Sequence, residues 1–445
     1  MIALPVIMPG GLVGLEAVLG EERSEKLRRH AGSLRQALEG RTLWHVNSTA
    51  AGGGVAEMLQ ILLPLYRELG ISARWAVVQG DPSFFTLTKR LGMALYGSPG
   101  DEGPLGSAER DAYLVALKPT AEALASLVRP DDVVILHDHQ TAGLAPSLAQ
   151  RRAQVYWRCH VGVDRPTEAS ERGWTFVEPL LDAAEGYFFS VPWHVPAVLT
   201  GRNTVVLPPF IAPSTPKNRD LQPERVEALL DRCGLRRGTS DNPLITQVSR
   251  WDALKDMEGV LAAFVDHVPI GTLALVGPDP DGVPDDVDQG RLFSRTQAAW
   301  RRLSRADRDR VHLVCLPMAD LDDNALLVNA LQRASTVVVQ KSLAEGFGLT
   351  VTEAMWKSRP VVASAVGGIR AQITHGHDGL LTDPHDLPAA ATLIISCLNG
   401  RIDTTTMGTR ARERVLRDFL PDREVTTMAD VLTQSPELGR ALPPR

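Results

Sequence analysis

Two series of short, β-branched and apolar segments run along this chain, each segment separated from the next by a longer amphipathic stretch, and between the two series lies a stretch that no regular element can use. The first series occupies 42–47, 73–78, 132–136, 154–159, 187–190 and 204–207; the second occupies 244–249, 273–276, 311–316, 336–340 and 361–363. Strands that alternate with helices pair in parallel and are covered by those helices. The break at 208–216 reads Pro-Pro-Phe-Ile-Ala-Pro-Ser-Thr-Pro. Proline donates no backbone N–H and clashes with the preceding turn, which excludes both a helix and a central strand there. The expectation is an α/β protein of two doubly wound, Rossmann-like domains facing each other across a cleft. The first spans 1–213, with a tail at 425–445 packing back on it after a helical return around 411–432, and the second spans 214–424.

A chain of 445 residues is too long for one ordinary core and suits two. Its 47 basic and 53 acidic residues give a net charge of -6, which supplies no electrostatic footprint for nucleic acid. Cys159, Cys233, Cys315 and Cys397 are far apart and lack metal-ligand spacing, so they read as reduced thiols of a cytoplasmic protein. The apolar start is broken by Pro5 and Pro9 and has no basic flank, and no uninterrupted apolar run is long enough for a bilayer. These features predict a soluble protein that is not exported and has no membrane span.

Each motif that carries chemistry follows a strand, the place where open parallel sheets bind ligands. After 336–340 comes Ser342-Leu-Ala-Glu345-Gly346-Phe347-Gly348-Leu349-Thr-Val-Thr-Glu353, with two carboxylates eight residues apart around a glycine turn. The run from Leu349 to Trp356 has the length and composition to open a helix, which places Glu345 in the loop and Glu353 in the helix. Unpaired N–H groups at such a helix start suit a diphosphate, with the carboxylates reaching hydroxyls on either side of it. After 244–249 stand Arg250 and Lys255, two cations that can clamp a diphosphate. Taken singly, each is better explained as a solvated loop residue; the ligand reading gains because all four charged candidates follow strands in one half of the chain.

In the first series, Asn47 leads into Gly52, Gly53 and Gly54 and an amphipathic stretch at 55–69. Glycine lets backbone N–H groups approach a ligand, although a plain turn reads the same, and neither P-loop nor dinucleotide spacing is present. His160 closes the segment 154–159, where it can bond a hydroxyl or carry a proton, although for a single histidine a structural role is the commoner explanation. His137-Asp138-His139 ends another segment. Two histidines there invite a metal, but no further ligands are evident. Asp279-Pro-Asp281 and Asp286-Val-Asp288 fall in a Pro/Gly/Asp-rich loop and read as solvated turns.

Together, Arg250 with Lys255, Glu345 with Glu353, the turn at Gly52 to Gly54 and the segment Val366-Gly367-Gly368-Ile-Arg-Ala-Gln-Ile373 resemble the retaining glycosyltransferases of family 4, which have the GT-B fold. Within that family, the stretches starting at Trp44, Trp157, Ile245 and Glu345 are similar to the trehalose glycosyltransferring synthases, over about residues 15–420. The resemblance implies that Arg250 and Lys255 hold the diphosphate of a nucleotide-activated glucose. Glu353 would bind ribose, and Glu345 the transferred sugar, within a donor site that includes Gly346, Phe347, Gly348 and Leu349. Gly53 and Gly54 would approach the phosphate or sugar, and His160 and Asp138 would lie near the reacting sugar and acceptor. Such enzymes retain the anomeric configuration, use no metal or other cofactor, and take a nucleotide-diphosphate sugar as substrate; a homodimer is compatible with this reading. Three departures concern the acceptor: Asp164 is displaced from the place beside His160 where the family has its acidic residue, and His139 and Thr141 stand where it has prolines. Trehalose formation from glucose is the expected activity. The alternatives are another acceptor such as a sugar phosphate, a phosphorylase, and a non-catalytic sugar-nucleotide-binding regulator.

Overall fold

The computed structural model describes residues 2–50, 52–280 and 287–433 and divides the chain into two units. One is built from the chain up to Ala212 together with the segment that begins at Leu420; the other is Pro213–Phe419. The proline-rich stretch between them contains no helix or strand.

The first unit is a seven-stranded sheet in the order β1-β3-β2-β4-β5-β6-β7. Its strands are β1 (Ile2–Ala3), β2 (Leu43–Asn47), β3 (Ala73–Val78), β4 (Val133–His137), β5 (Gln154–Cys159), β6 (Gly186–Phe189) and β7 (Thr204–Val206). All pairs are parallel except β1 with β3. Alternate residues of a strand face opposite sides. Trp44, Val46, Val134, Leu136, Val155, Trp157, Tyr187 and Phe189 share one core cluster. Their neighbours His45, Ile135, His137, Arg158 and Phe188 are buried as well, which makes the other face an interior surface that carries polar groups.

The second unit is wholly parallel, in the order β10-β9-β8-β11-β12-β13. Its strands are β8 (Leu244–Val248), β9 (Thr272–Pro278), β10 (Val311–Leu316), β11 (Val337–Gln340), β12 (Val361–Ser364) and β13 (Leu380–Thr382). Ile245, Leu273, Leu275, Val337, Val339 and Val362 pack on one face, and Leu244, Val248, Ala274, Val276, Val314 and Leu316 on the other. Burying each such side chain contributes about 2 kcal/mol, and with both faces covered no strand can slip by one residue without exchanging two fitted surfaces.

The structure breaks the expected helical return at 411–432 into two helices, Thr404–Asp418 and Asp422–Thr433, on either side of Phe419, Leu420 and Pro421. The first belongs to the second unit. The other lies along Glu21–Ala37 in the first unit, tied by Arg23 to Asp422 at 2.6 Å and by Arg158 to Glu424 at 2.6 Å. Pro421 stands immediately before the second helix, where its fixed φ and missing N–H suit a helix start and disfavour continuation of the first. Positions 434–445 of the expected tail lie outside the described residues. Cys159, Cys233 and Cys397 are free thiols among the described residues. Among the described residues no helix is long and apolar enough to cross a membrane.

Candidate active site

In the second unit the strand order reverses between β8 and β11, which lie side by side with Ile245 opposite Val337. Chains leaving two such strands turn to opposite faces of the sheet and open a crevice at their carboxyl ends. Lys255 stands on the loop after β8 and Glu345 on the loop after β11. Lys255 Nζ donates to Glu345 Oε2, and Ser342 Oγ donates to the same oxygen at 3.2 Å. Backbone bonds fix the two loops on each other: Leu343 N–H donates to the Leu254 carbonyl at 2.7 Å, and Gln247 joins the Lys341 N–H to the Lys255 carbonyl at 2.9 and 2.7 Å. Lys341 Nζ is bound to Asp256, which sits at a left-handed φ of 47° and caps the helix Met257–His267. The pair therefore rests on a scaffold of ordered loops.

Gly348, at φ 88°, opens the helix Leu349–Trp356 without a side-chain cap, leaving first-turn N–H groups for a ligand. The turn after β12 presses on the motif from behind. A Cβ at Gly367 would lie 1.6 Å from the Glu345 carbonyl oxygen, and one at Gly368 would lie 2.4 Å from Phe347 Cα. Gln372 donates to the carbonyls of Phe347 and Gly348 at 2.5 and 3.3 Å. The Phe347 ring is buried against Phe419, with centroids 5.5 Å apart, so its backbone is what it can offer a ligand.

The four charged candidates do not form one cluster. Lys255 and Glu345 meet. Arg250 is exposed and leans on Asp252 at 3.1 Å, within its own loop. Glu353 is buried in its helix with Lys217 3.6 Å away. Beneath it Lys357 Nζ donates to Gln332, Asn218 and the Glu353 carbonyl, and burial brings its pKa down to about 7. A cavity of about 470 Å³ lined by Arg237, Pro243, Thr336, Arg359 and Pro360 lies at the amino ends of β8, β11 and β12, away from this chemistry.

In the first unit Gly52 and Gly53 have φ of 73° and 108° with open space where a Cβ would stand, and Gly54 starts the helix Gly54–Glu68. Asp138, also left-handed at φ 61°, follows β4, and its Oδ1 accepts the His160 backbone N–H at 2.7 Å. Desolvation raises its carboxyl to about 7, against the opposing pull of that bond and of Arg158. His160 closes β5 and continues a line of imidazoles. His45 lies opposite Ile135 and His137 opposite Arg158, so each histidine sits two residues further along the next strand, on the same face. His45 Nδ1 meets His137 Nε2 at 3.0 Å, and His137 Nδ1 meets His160 Nε2 at 3.0 Å.

Two departures noted in the sequence turn inward. His139 is buried with Nε2 at 2.8 Å from the Thr88 carbonyl, and Thr141 Oγ1 donates to the His137 carbonyl at 2.8 Å; these side chains finish the interior instead of facing a ligand. Asp164 lies 3.7 Å from the buried His194. Of the aspartate pairs, Asp281 and Asp286 lie outside the described residues. Lys341, Asp256, Gln247, Gln372 and His45 escaped the sequence reading. Lys341 and Asp256, next to the motifs, and Gln372, inside the segment 366–373, stood where a local signal existed; Gln247 and His45 reach the site through strand register.

Residues 45–196 match the family described as "Trehalose synthase, N-terminal domain", and residues 323–414 match "Glycosyl transferases group 1". A trehalose synthase of Pyrococcus horikoshii is 34% identical over 94% of this chain and 94% of its own. An α,α-trehalose-phosphate synthase of Burkholderia xenovorans, solved with glucose-6-phosphate, superposes with a TM-score of 0.65 at 16% identity, covering 88% of this chain and 98% of that one. An Anabaena protein solved with UDP-glucose does so with a TM-score of 0.64 at 19% identity over the same shares.

Proposed function

Because the chain belongs to the trehalose synthase family of glycosyltransferases, and is thus an enzyme of trehalose metabolism, we propose that it moves glucose from a nucleotide-diphosphate glucose to a second glucose with retention of configuration, forming trehalose. The observation that carries this reading is the Lys255–Glu345 pair at the strand-order reversal of the second unit, beside the uncapped start of Leu349–Trp356. A leaving diphosphate builds up negative charge as the glycosidic bond breaks. Lys255, Arg250 and the helix N-terminus supply positive charge there, which removes the need for a metal ion. Glu345, held by Lys255 and Ser342, is oriented to accept from sugar hydroxyls, and Glu353 from the ribose. Gly346, Gly348 and Leu349 contribute backbone groups, as do Gly53 and Gly54 in the first unit. His160 and Asp138 serve the reacting sugar and the acceptor. The UDP-glucose of the Anabaena structure supports a nucleotide sugar as donor, and the extent of the match to the Pyrococcus enzyme supports glucose as acceptor over a sugar phosphate.

The test is incubation with a panel of nucleotide-diphosphate glucoses and either glucose, glucose-6-phosphate or no acceptor, with products identified by NMR. α,α-Trehalose from glucose is the expected product. A product formed only from glucose-6-phosphate replaces the acceptor, dependence on inorganic phosphate makes the enzyme a phosphorylase, and donor binding without turnover leaves a regulator.

A further inference from the structure

We propose that His45 and His137 are positioning residues that hold the His160 imidazole in its Nδ1–H tautomer, so that the ring presents a donor to its ligand. The argument is a count of protons. Burial, reinforced by the Arg158 guanidinium nearby, holds all three imidazoles well below the ordinary range, His45 at about 3, so the stack is neutral and each ring carries one proton. Two of the three protons occupy the two N···N contacts, each 3.0 Å long. The third sits at one end of the line, either on His45 Nε2 or on His160 Nδ1. Choosing the end chooses the tautomer of every ring.

The ends are unlike. His45 is fully buried, and its Nε2 has no hydrogen-bond partner among the described residues. The groups around that interior end are Tyr66, whose ring centroid is 6.1 Å from that of His45, and Arg158 with its partner Glu424; Tyr66 Oη and Glu424 Oε2 are buried there without hydrogen-bond partners among the described residues too, and neither is hydrogen-bonded to His45 Nε2. His160 is half-buried, with its backbone N–H on Asp138, its Nε2 on His137 and its Nδ1 left for a ligand. A buried N–H without an acceptor is costlier and rarer than a buried lone pair without a donor. The proton is therefore excluded from the interior end and appears at His160 Nδ1. An isolated imidazole in water prefers the Nε2–H form, so the stack reverses the intrinsic preference of this ring. The stacked geometry, with interplanar angles of 27° and 13°, also fixes where the N–H points.

That this donor meets a hydroxyl oxygen of the reacting sugar or acceptor rests on the transferase reading above; the tautomer itself does not. The test is ¹⁵N NMR of the full chain labelled at histidine, at pH 7.5, with the His160 signals identified by their loss in His160→Gln. In the wild-type protein His160 should show a protonated Nδ1 and an unprotonated Nε2. In His137→Phe, a ring of similar volume that cannot bond, His160 should revert to mainly Nε2–H, and kcat/KM should fall about tenfold. A wild-type His160 protonated at Nε2 overturns the proposal, and needs no variant to fold. So does an unchanged tautomer in His137→Phe, or a reversed tautomer with undiminished kcat/KM. Absence of turnover in the wild-type protein would instead fail the transferase reading and leave the tautomer result intact.

Discussion

Replacing Lys255 with alanine should damage stability and turnover by separate routes, and a second substitution can separate them. Lys255 and Glu345 have side-chain exposures of 15% and 9%, so the pair is largely enclosed. In Lys255→Ala the Glu345 carboxylate keeps only the Ser342 hydroxyl at 3.2 Å of its two side-chain donors. Orphaning a fully buried charge costs about 3–5 kcal/mol, and the residual exposure here brings the cost below that range, to about 2–3 kcal/mol. The loss at the leaving group is a different matter: removing one preorganised electrostatic contact of this kind lowers kcat by about 10²–10³. Adding Glu345→Gln removes the orphaned charge. The double variant should recover stability to within about 1 kcal/mol of wild type, since a neutral amide is cheaper to bury than an unpaired carboxylate. It should not recover turnover. Urea unfolding and steady-state kinetics at saturating donor measure the two quantities. Wild-type kcat in Lys255→Ala would refute the assigned role, and a double variant no more stable than the single one would refute the account of the pair.

Glu353→Ala should raise the donor Kd about tenfold by calorimetry, with a smaller change in kcat, because its carboxylate is assigned to binding instead of to charge developing in the reaction. An unchanged Kd would remove Glu353 from the donor site. Gly367→Ala should lower stability by about 3 kcal/mol or more, since its Cβ would overlap the Glu345 carbonyl oxygen and its φ of 48° disfavours a side chain; a variant that unfolds at the wild-type urea concentration counts against this packing. Asp138 supplies a pH signature. Its carboxyl is raised from 3.8 to about 7 by desolvation, so the folded state favours the protonated form. Its contribution is complete below about pH 4 and is lost as pH rises to about 7, at up to about 1.4 kcal/mol per pH unit. Asp138→Asn keeps the left-handed backbone and the acceptor but cannot titrate. The stability of wild type relative to this variant should therefore fall between about pH 4 and 7 and level off above; a constant difference would refute the assignment.

The strands of both sheets were legible because nearly all are buried on both faces and so read as unbroken β-branched and apolar runs. Val337–Gln340 and Val361–Ser364 need no partner information to be seen. Ile2–Ala3 and Leu380–Thr382 were not legible, since two or three residues carry no period, and neighbours alone hold them in place. Glu345 and Lys255 could be named as candidates because each follows a legible strand. That they touch, while Arg250 and Glu353 do not join them, depends on β8 lying beside β11. The imidazole line is the extreme case. His45, His137 and His160 are 92 and 23 residues apart in successive steps, and only the stagger of three parallel strands aligns them.

The ion pair between Arg158 and Glu424 has a consequence for how the chain is made. The first unit is interrupted in sequence: its sheet is complete by Val206, but Arg158, 2% exposed, has its carboxylate partner on Asp422–Thr433. During synthesis from the amino terminus the whole of Pro213–Phe419 must emerge before that partner exists. Until then Arg158 lacks its carboxylate partner and Glu21–Ala37 lacks the helix that packs along it, so the unit is incomplete. The continuous second unit is free to fold by itself as it emerges. The unit translated first is thus the one finished last, and a truncation just before Asp422 should leave a folded second unit attached to an unfinished first one.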